Sequence, residues 1–139
     1  MLAQIANAGA QTLKRRDNRL HIYKTEVVRV VDGDTFDVNI DLGFDVWTKK
    51  RIRLRAVNCA ELKSESAAEL KEAHAAKTFV EEQLPAGTVV VIQTFRVDLH
   101  GRFVADVFYL KNETDKEIVF KDGKFLNQEL LNAGLAEIV

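Results

Sequence analysis

The sequence predicts an α+β chain, mainly β, and three observations carry that expectation. β-Branched and aromatic residues recur with a period of two in several short segments. One longer segment between them carries apolar residues at helical spacing. Near the C-terminus, a short apolar helical pattern runs into a glycine.

Taken in order, residues 1–20 read as an N-terminal extension and residues 21–139 as one domain. Met1–Ala10 is expected to form a weak amphipathic helix or a disordered arm, followed by the basic residues Lys14, Arg15, Arg16 and Arg19. From Leu20 the chain turns strand-like. Val27, Val28, Val30 and Val31 run into the turn signal Asp32-Gly33-Asp34. Phe36, Val38 and Ile40 then alternate with Asp37, Asn39 and Asp41, the pattern of a half-buried strand. After a loop around Leu42–Thr48, Ile52, Leu54 and Ala56 alternate with Arg51, Arg53 and Arg55. Ser66 and Glu69 have the spacing of a capping box. Beyond them Leu70, Ala73, Ala76, Phe79, Val80 and Leu84 mark one helix face, stopped by Pro85-Ala86-Gly87. Val89–Phe95 and Phe103–Leu110 are two further strands, and Ile118–Phe120 is expected to add a short one. Leu126–Ala133 is the terminal helix, with Gly134 at its C′ position. Five strands with a helix between the third and fourth, and a short C-terminal helix, are what a small OB-fold barrel requires.

The 139 residues suffice for one core without staples. No aliphatic run exceeds Val89–Ile92, far short of the roughly 20 residues that span a bilayer. A single cysteine, Cys59, excludes an internal disulfide framework and a cysteine-cluster zinc site. The pattern of a signal peptide is missing, so a cytoplasmic location is the default expectation, with export by another route left open. Lys+Arg total 20 against 21 Asp+Glu, a formal charge of −1. That balance excludes a uniformly polycationic coat for nucleic acid. It leaves room for a focused site, since Lys49, Lys50, Arg51, Arg53 and Arg55 crowd into one strand and its lead-in.

Three polar clusters stand out: Asp32-Gly33-Asp34-Thr35, the strand from Arg53 to Asn58-Cys59-Ala60-Glu61, and the loop Asp98-Leu99-His100-Gly101-Arg102. Each alone reads as a turn, a solvated strand face or a hairpin bend. Together they offer oxygen donors for a hard cation. They also offer two guanidinium groups that pair bidentately with phosphate, and a glutamate able to orient or deprotonate water. Cys59 as a nucleophile would need a base beside it, and no partner histidine is evident. His21 and His74 lack metal spacing, and Trp47 reads as a packing residue.

In order along the chain, VRVVDGDT (Val28–Thr35), RLRAVNCAE (Arg53–Glu61), DLHGR (Asp98–Arg102) and GKFLNQELLNAGLA (Gly123–Ala136) resemble the staphylococcal nuclease, or thermonuclease, family. The resemblance runs from about Glu26 to the C-terminus. It implies an OB-fold, metal-dependent nuclease that hydrolyses DNA or RNA, or both, with Ca2+ or another divalent ion, leaving 3′-phosphates. It further implies Asp34 as a calcium ligand and Arg53 and Arg102 as the phosphate clamp. Glu61 becomes the general base or the residue that orients the attacking water.

The chain departs from the family at several of these positions. Asn58 stands where a second calcium-binding aspartate is usual, which removes one negative charge from the site. Cys59 replaces a threonine that serves through its backbone carbonyl, and Ala60 replaces a proline. Leu99 and His100 replace a lysine and a tyrosine that hold a terminal phosphate, leaving His100 as the substrate-binding candidate of that loop. Lys111–Val119 is an insertion, and the resemblance gives out at Val139, ahead of the family's last helix and a substrate-stacking tyrosine. The alternative expectation is a catalytically weak OB module that binds nucleic acid or a protein partner. A third makes the chain one subunit of an assembly, its oligomeric state being open.

Overall fold

The computed structural model describes residues 11–139, so the expectation for Met1–Ala10 lies outside the described residues. Five long strands are present: β1 Ile22–Asp32, β2 Thr35–Asp41, β3 Trp47–Leu54, β5 Val89–Val97 and β6 Phe103–Tyr109. Antiparallel pairing links β3 to β2, β2 to β1, β1 to β5 and β5 to β6. A parallel ladder of Ile52–Leu54 on Phe103–Ala105 then joins β3 to β6 and closes the ring. The result is a closed, mixed five-stranded barrel of OB type, α+β and mainly β, as the sequence predicts. Two register shifts in β1, between Val27 and Arg29 and between Val30 and Asp32, sharpen its coil. Such bulges let a strand serve two neighbours around a small barrel.

The long helix α1, Ala67–Gln83, lies between β3 and β5 in sequence and buries Ala73, Ala76 and Val80. Ser66 caps it by accepting from the Glu69 N–H. The Glu69 carboxylate takes the Ser64 hydroxyl instead of returning to the cap, so half of the expected capping box forms. A main cluster that includes Phe36, Val38, Ile52, Leu54, Ile92, Val107, Leu126 and Leu130 fills the barrel. Leu126 and Leu130 come from α3, Leu126–Asn132, which ends before Gly134 in a left-handed conformation, φ 72°. The pairs β4 Val57–Asn58 with β8 Glu137–Ile138, and β6 with β7 Lys124–Phe125, add short ribbons.

Several expectations need correcting. Ile118–Phe120 is not a strand but the middle of helix α2, Lys116–Asp122. Asp115 accepts from the N–H groups of Glu117 and Ile118, and this cap starts a helix whose Val119 and Phe120 bury against Phe108. His21 lies in a turn with φ 59°, ahead of β1. Trp47 is not packed away: it opens β3 with 46 % of its surface exposed. The basic residues after Ala10 pack onto the body. Arg15 lies over the Phe108 ring at 4.1 Å and Arg16 over Phe95 at 3.7 Å. Arg15 also donates to the Phe120 carbonyl, and Gln93 donates to the Asn18 and Leu20 carbonyls. Cation–π contacts of this kind contribute about 0.5–2 kcal/mol each.

Candidate active site

The turn between β1 and β2 is set by close packing. A Cβ at Gly33 would fall 2.6 Å from the Ala76 Cβ on α1 and 3.0 Å from the Cys59 Sγ. Only glycine lets the helix and the Cys59 segment press on this turn, and that pressure buries Asp34 to 6 % exposure. A buried carboxylate has to be satisfied. Thr35 Oγ1 donates to Asp34 Oδ1 at 2.9 Å, and the Cys59 N–H donates to Asp34 Oδ2 at 2.8 Å.

Arg53 reaches the same point from β3. Its Nη1 donates to the Leu54 and Val57 carbonyls, at 2.9 and 2.6 Å. Its Nη2 donates to Asn58 Oδ1 at 3.0 Å and lies 3.7 Å from Asp34 Oδ2. Those carbonyls are turned inward because the chain bends at Ala56, held at φ 65°. Asp34, Arg53, Asn58 and Cys59, four of the residues named from sequence, therefore form one connected cluster.

Arg102 is brought alongside by topology. Phe103 pairs with Ile52, so Arg102 stands at the start of the strand that runs parallel to β3. Asp98 fixes it: Arg102 Nε donates to Asp98 Oδ2 at 2.7 Å, while the N–H groups of His100 and Arg102 donate to Asp98 Oδ1. Burial alone would raise the Asp98 carboxyl, yet these hydrogen bonds hold it below the ordinary carboxylate range. The Nη groups of Arg102 have no hydrogen-bond partner among the described residues.

Glu61 and His100 stay outside the hydrogen-bonded cluster. Glu61 is exposed and lines an open cleft of about 700 Å³ with Asn58, Cys59 and Lys63, bounded by α1 and by Gly134–Glu137. His100 sits exposed on the loop beside Leu99. Burial pushes the Cys59 thiol up to about 12, with the Asp34 charge adding to it, so the sulfur is an inert packing group. Sequence reasoning assigned no role to three residues that support the site. Thr35 and Asp98 orient Asp34 and Arg102, and Asp32 Oδ1 accepts from the Leu62 N–H at 3.3 Å. Asp32 and Thr35 were legible only as members of the DGDT motif, and Asp98 only by its i, i+4 spacing from Arg102.

The oxygen donors at this point are the Asp34 carboxylate and the Asn58 amide oxygen, which accepts from Arg53, while the Cys59 main chain turns its N–H to the carboxylate. That set fits a hard divalent cation, with fewer charges than a tight calcium site carries. Among the described residues, no group of three or more His, Cys, Asp or Glu is placed to hold a metal ion. Among them too, no helix is long and apolar enough to cross a membrane.

No curated protein matches the chain. Residues 51–139 match the family model described as staphylococcal nuclease homologue, which supports a nuclease-type or nucleic-acid-binding OB-fold module. The match takes in the second half of β3, α1, the Arg102 loop and α3, and it begins after β1, β2 and Asp34. Spanning well over half of the sequence, it shows that the chain belongs to the staphylococcal nuclease homologue family.

Proposed function

We propose that the protein is a nuclease that hydrolyses phosphodiester bonds of DNA or RNA at the Asp34–Arg53–Asn58–Cys59 cluster. The observation that carries this reading is the setting of Arg53. Two carbonyls and Asn58 Oδ1 fix its guanidinium before any substrate arrives, and the β3–β6 ladder leads Arg102 to the same side. Two preorganised guanidinium groups suit the charge that develops on a phosphate under attack.

In this reading the scissile phosphate sits between Arg53 and Arg102. Glu61, exposed on the cleft beside Asn58, takes a proton from a water as its oxygen attacks phosphorus. The bond to the 5′ oxygen breaks, that oxygen leaves as a hydroxyl by taking a proton from solvent, Glu61 returns its proton to solvent, and the phosphate stays on the 3′ side. Asp34, Asn58 Oδ1 and the Cys59 carbonyl would hold a divalent cation, with Ca2+ the first candidate. When bound, it supplies further positive charge next to the phosphate.

Digestion of single-stranded DNA and RNA in calcium, magnesium, manganese and chelator tests the proposal. Arg53→Ala is expected to lower turnover by about 10²–10³-fold, and Glu61→Ala by about 10²–10⁴-fold. Cleavage unchanged in both variants rejects the site. One observation favours a second reading, a binding module with little turnover: Asn58 contributes a neutral amide whose oxygen is already taken by Arg53. Cleavage that appears only in Asn58→Asp supports that reading.

A further inference from the structure

The hairpin between β2 and β3 carries apolar side chains left exposed among the described residues. Phe44 is fully exposed, and Leu42, Val46 and Trp47 are each about half exposed. The backbone under them is strained as well. Gly43, Phe44 and Asp45 all adopt positive φ, at 81°, 56° and 59°. A left-handed conformation disfavours a bulky residue such as phenylalanine, and exposure of its ring adds a second cost. The tip is nonetheless well defined: the Leu42 N–H donates to the Val46 carbonyl, the Val46 N–H donates to the Gly43 carbonyl, and Asp41 Oδ1 accepts from the Gly43 N–H.

Trp47 is the first residue of β3, and strand alternation sets Trp47, Lys49, Arg51 and Arg53 on one face. Successive members stand about 7 Å apart. Arg51 is joined to Asp37, which also pairs with Arg29. Lys49 lies opposite the uncharged Asn39. Neither Lys49 nor its neighbour Lys50 makes a salt bridge among the described residues, and both are exposed. A row of cations thus leads from the guanidinium of Arg53 to an exposed aromatic tip. Within the hairpin, Asp41 and Asp45 supply the carboxylates.

Extending the nuclease reading and resting on it for the position of the phosphate, we infer that this row and tip are a binding track for single-stranded nucleic acid. Lys49 meets a phosphate, and Trp47 and Phe44 stack on unpaired bases several nucleotides from the bond at Arg53. Aromatic faces beside a basic groove are how proteins hold single strands without reading their sequence. A duplex keeps its bases stacked on each other and offers the tip no free ring.

Trp47 is the sole tryptophan, so its fluorescence reports on the tip alone. The full chain is titrated at low salt in chelator with a dT oligonucleotide of about 15 nucleotides, and with a duplex of equal length. Saturable quenching by the single strand, with at least about tenfold weaker binding of the duplex, is expected. Phe44→Ala and Lys49→Ala are each expected to weaken the single strand about tenfold, and circular dichroism confirms their fold. No quenching, or equal response to the duplex, overturns the proposal. So does quenching by anionic phospholipid vesicles and not by DNA, or self-association in light scattering that Phe44→Ala abolishes. The titration needs no turnover. A chain that quenches without cleaving loses the nuclease reading and keeps the track, whereas one that cleaves without quenching loses the track alone.

Discussion

The main-chain N–H of Cys59 donates to Asp34 Oδ2 at 2.8 Å, tying two segments 25 residues apart into one wall of the candidate site. This bond makes Asp34 a structural residue as well as a proposed ligand. Asp34→Ala leaves a buried N–H and the Thr35 hydroxyl without their acceptor. It is expected to cost about 1–3 kcal/mol in urea unfolding, besides abolishing cleavage. A stability change under about 0.5 kcal/mol would show that water replaces the carboxylate freely.

Gly33→Ala is expected to destabilise by about 1–3 kcal/mol, because its new methyl collides with Ala76 and Cys59. Ala76→Gly removes one of the two obstacles at a helix-interior cost of about 1 kcal/mol. The double variant is therefore expected to be more stable than the two single losses added together. Strict additivity in the thermal unfolding of the four proteins counts against this close approach.

The Asn58→Asp change restores a carboxylate to the cluster. Calorimetric titration is expected to show Ca2+ binding about tenfold tighter than in the natural chain. The new carboxylate also pairs with Arg53, whose Nη2 already meets the side chain at this position. Equal calcium affinity in the two proteins removes Asn58 from the proposed ligand set.

Cys59 supplies a chemical test. With its thiol pushed up to about 12 by burial, it should resist iodoacetamide at pH 8 in the native protein and react only on unfolding. Rapid native labelling, followed by mass spectrometry, would mean that the turn opens around it.

Acid stability can be tied to Asp37. The hydrogen bond from Arg51 leads in holding its carboxyl below the ordinary value, against burial and with help from Arg29. A depressed folded value means that this stabilisation is complete above the unfolded value, near 3.9. It is lost as pH falls through the lower folded one. Asp37→Asn is thus expected to cost about 1–2 kcal/mol at pH 7. The gap between the two proteins should close below about pH 4. A gap independent of pH assigns the effect to packing instead.

The barrel was legible because its strands alternate and α1 carries a clean helical face. The two-residue strands β4, β7 and β8 were not, since two residues hold no period. Ile118–Phe120 misled for a different reason: β-branched and aromatic residues favour strands, but the Asp115 cap and burial of Val119 and Phe120 beside Phe108 outweigh that preference. Motif order led to the Asp34–Arg53–Asn58–Cys59 cluster, whose members are joined by local turns and one strand. The exposure of Trp47 and the seating of Arg15 and Arg16 on phenylalanine rings depend on distant parts of the chain, and nothing local encodes them.

Closure of the barrel rests on a seam of three residue pairs, Ile52–Leu54 against Phe103–Ala105. Arg53 stands on one lip of that seam and Arg102 leads into the other. A phosphate gripped by both arginines would act as a rivet across the weakest join of the ring. Every nucleotide bound would tighten the sheet by mass action, and every opening of the seam would let go of the substrate. In such a molecule, holding the substrate and holding the barrel shut are one event.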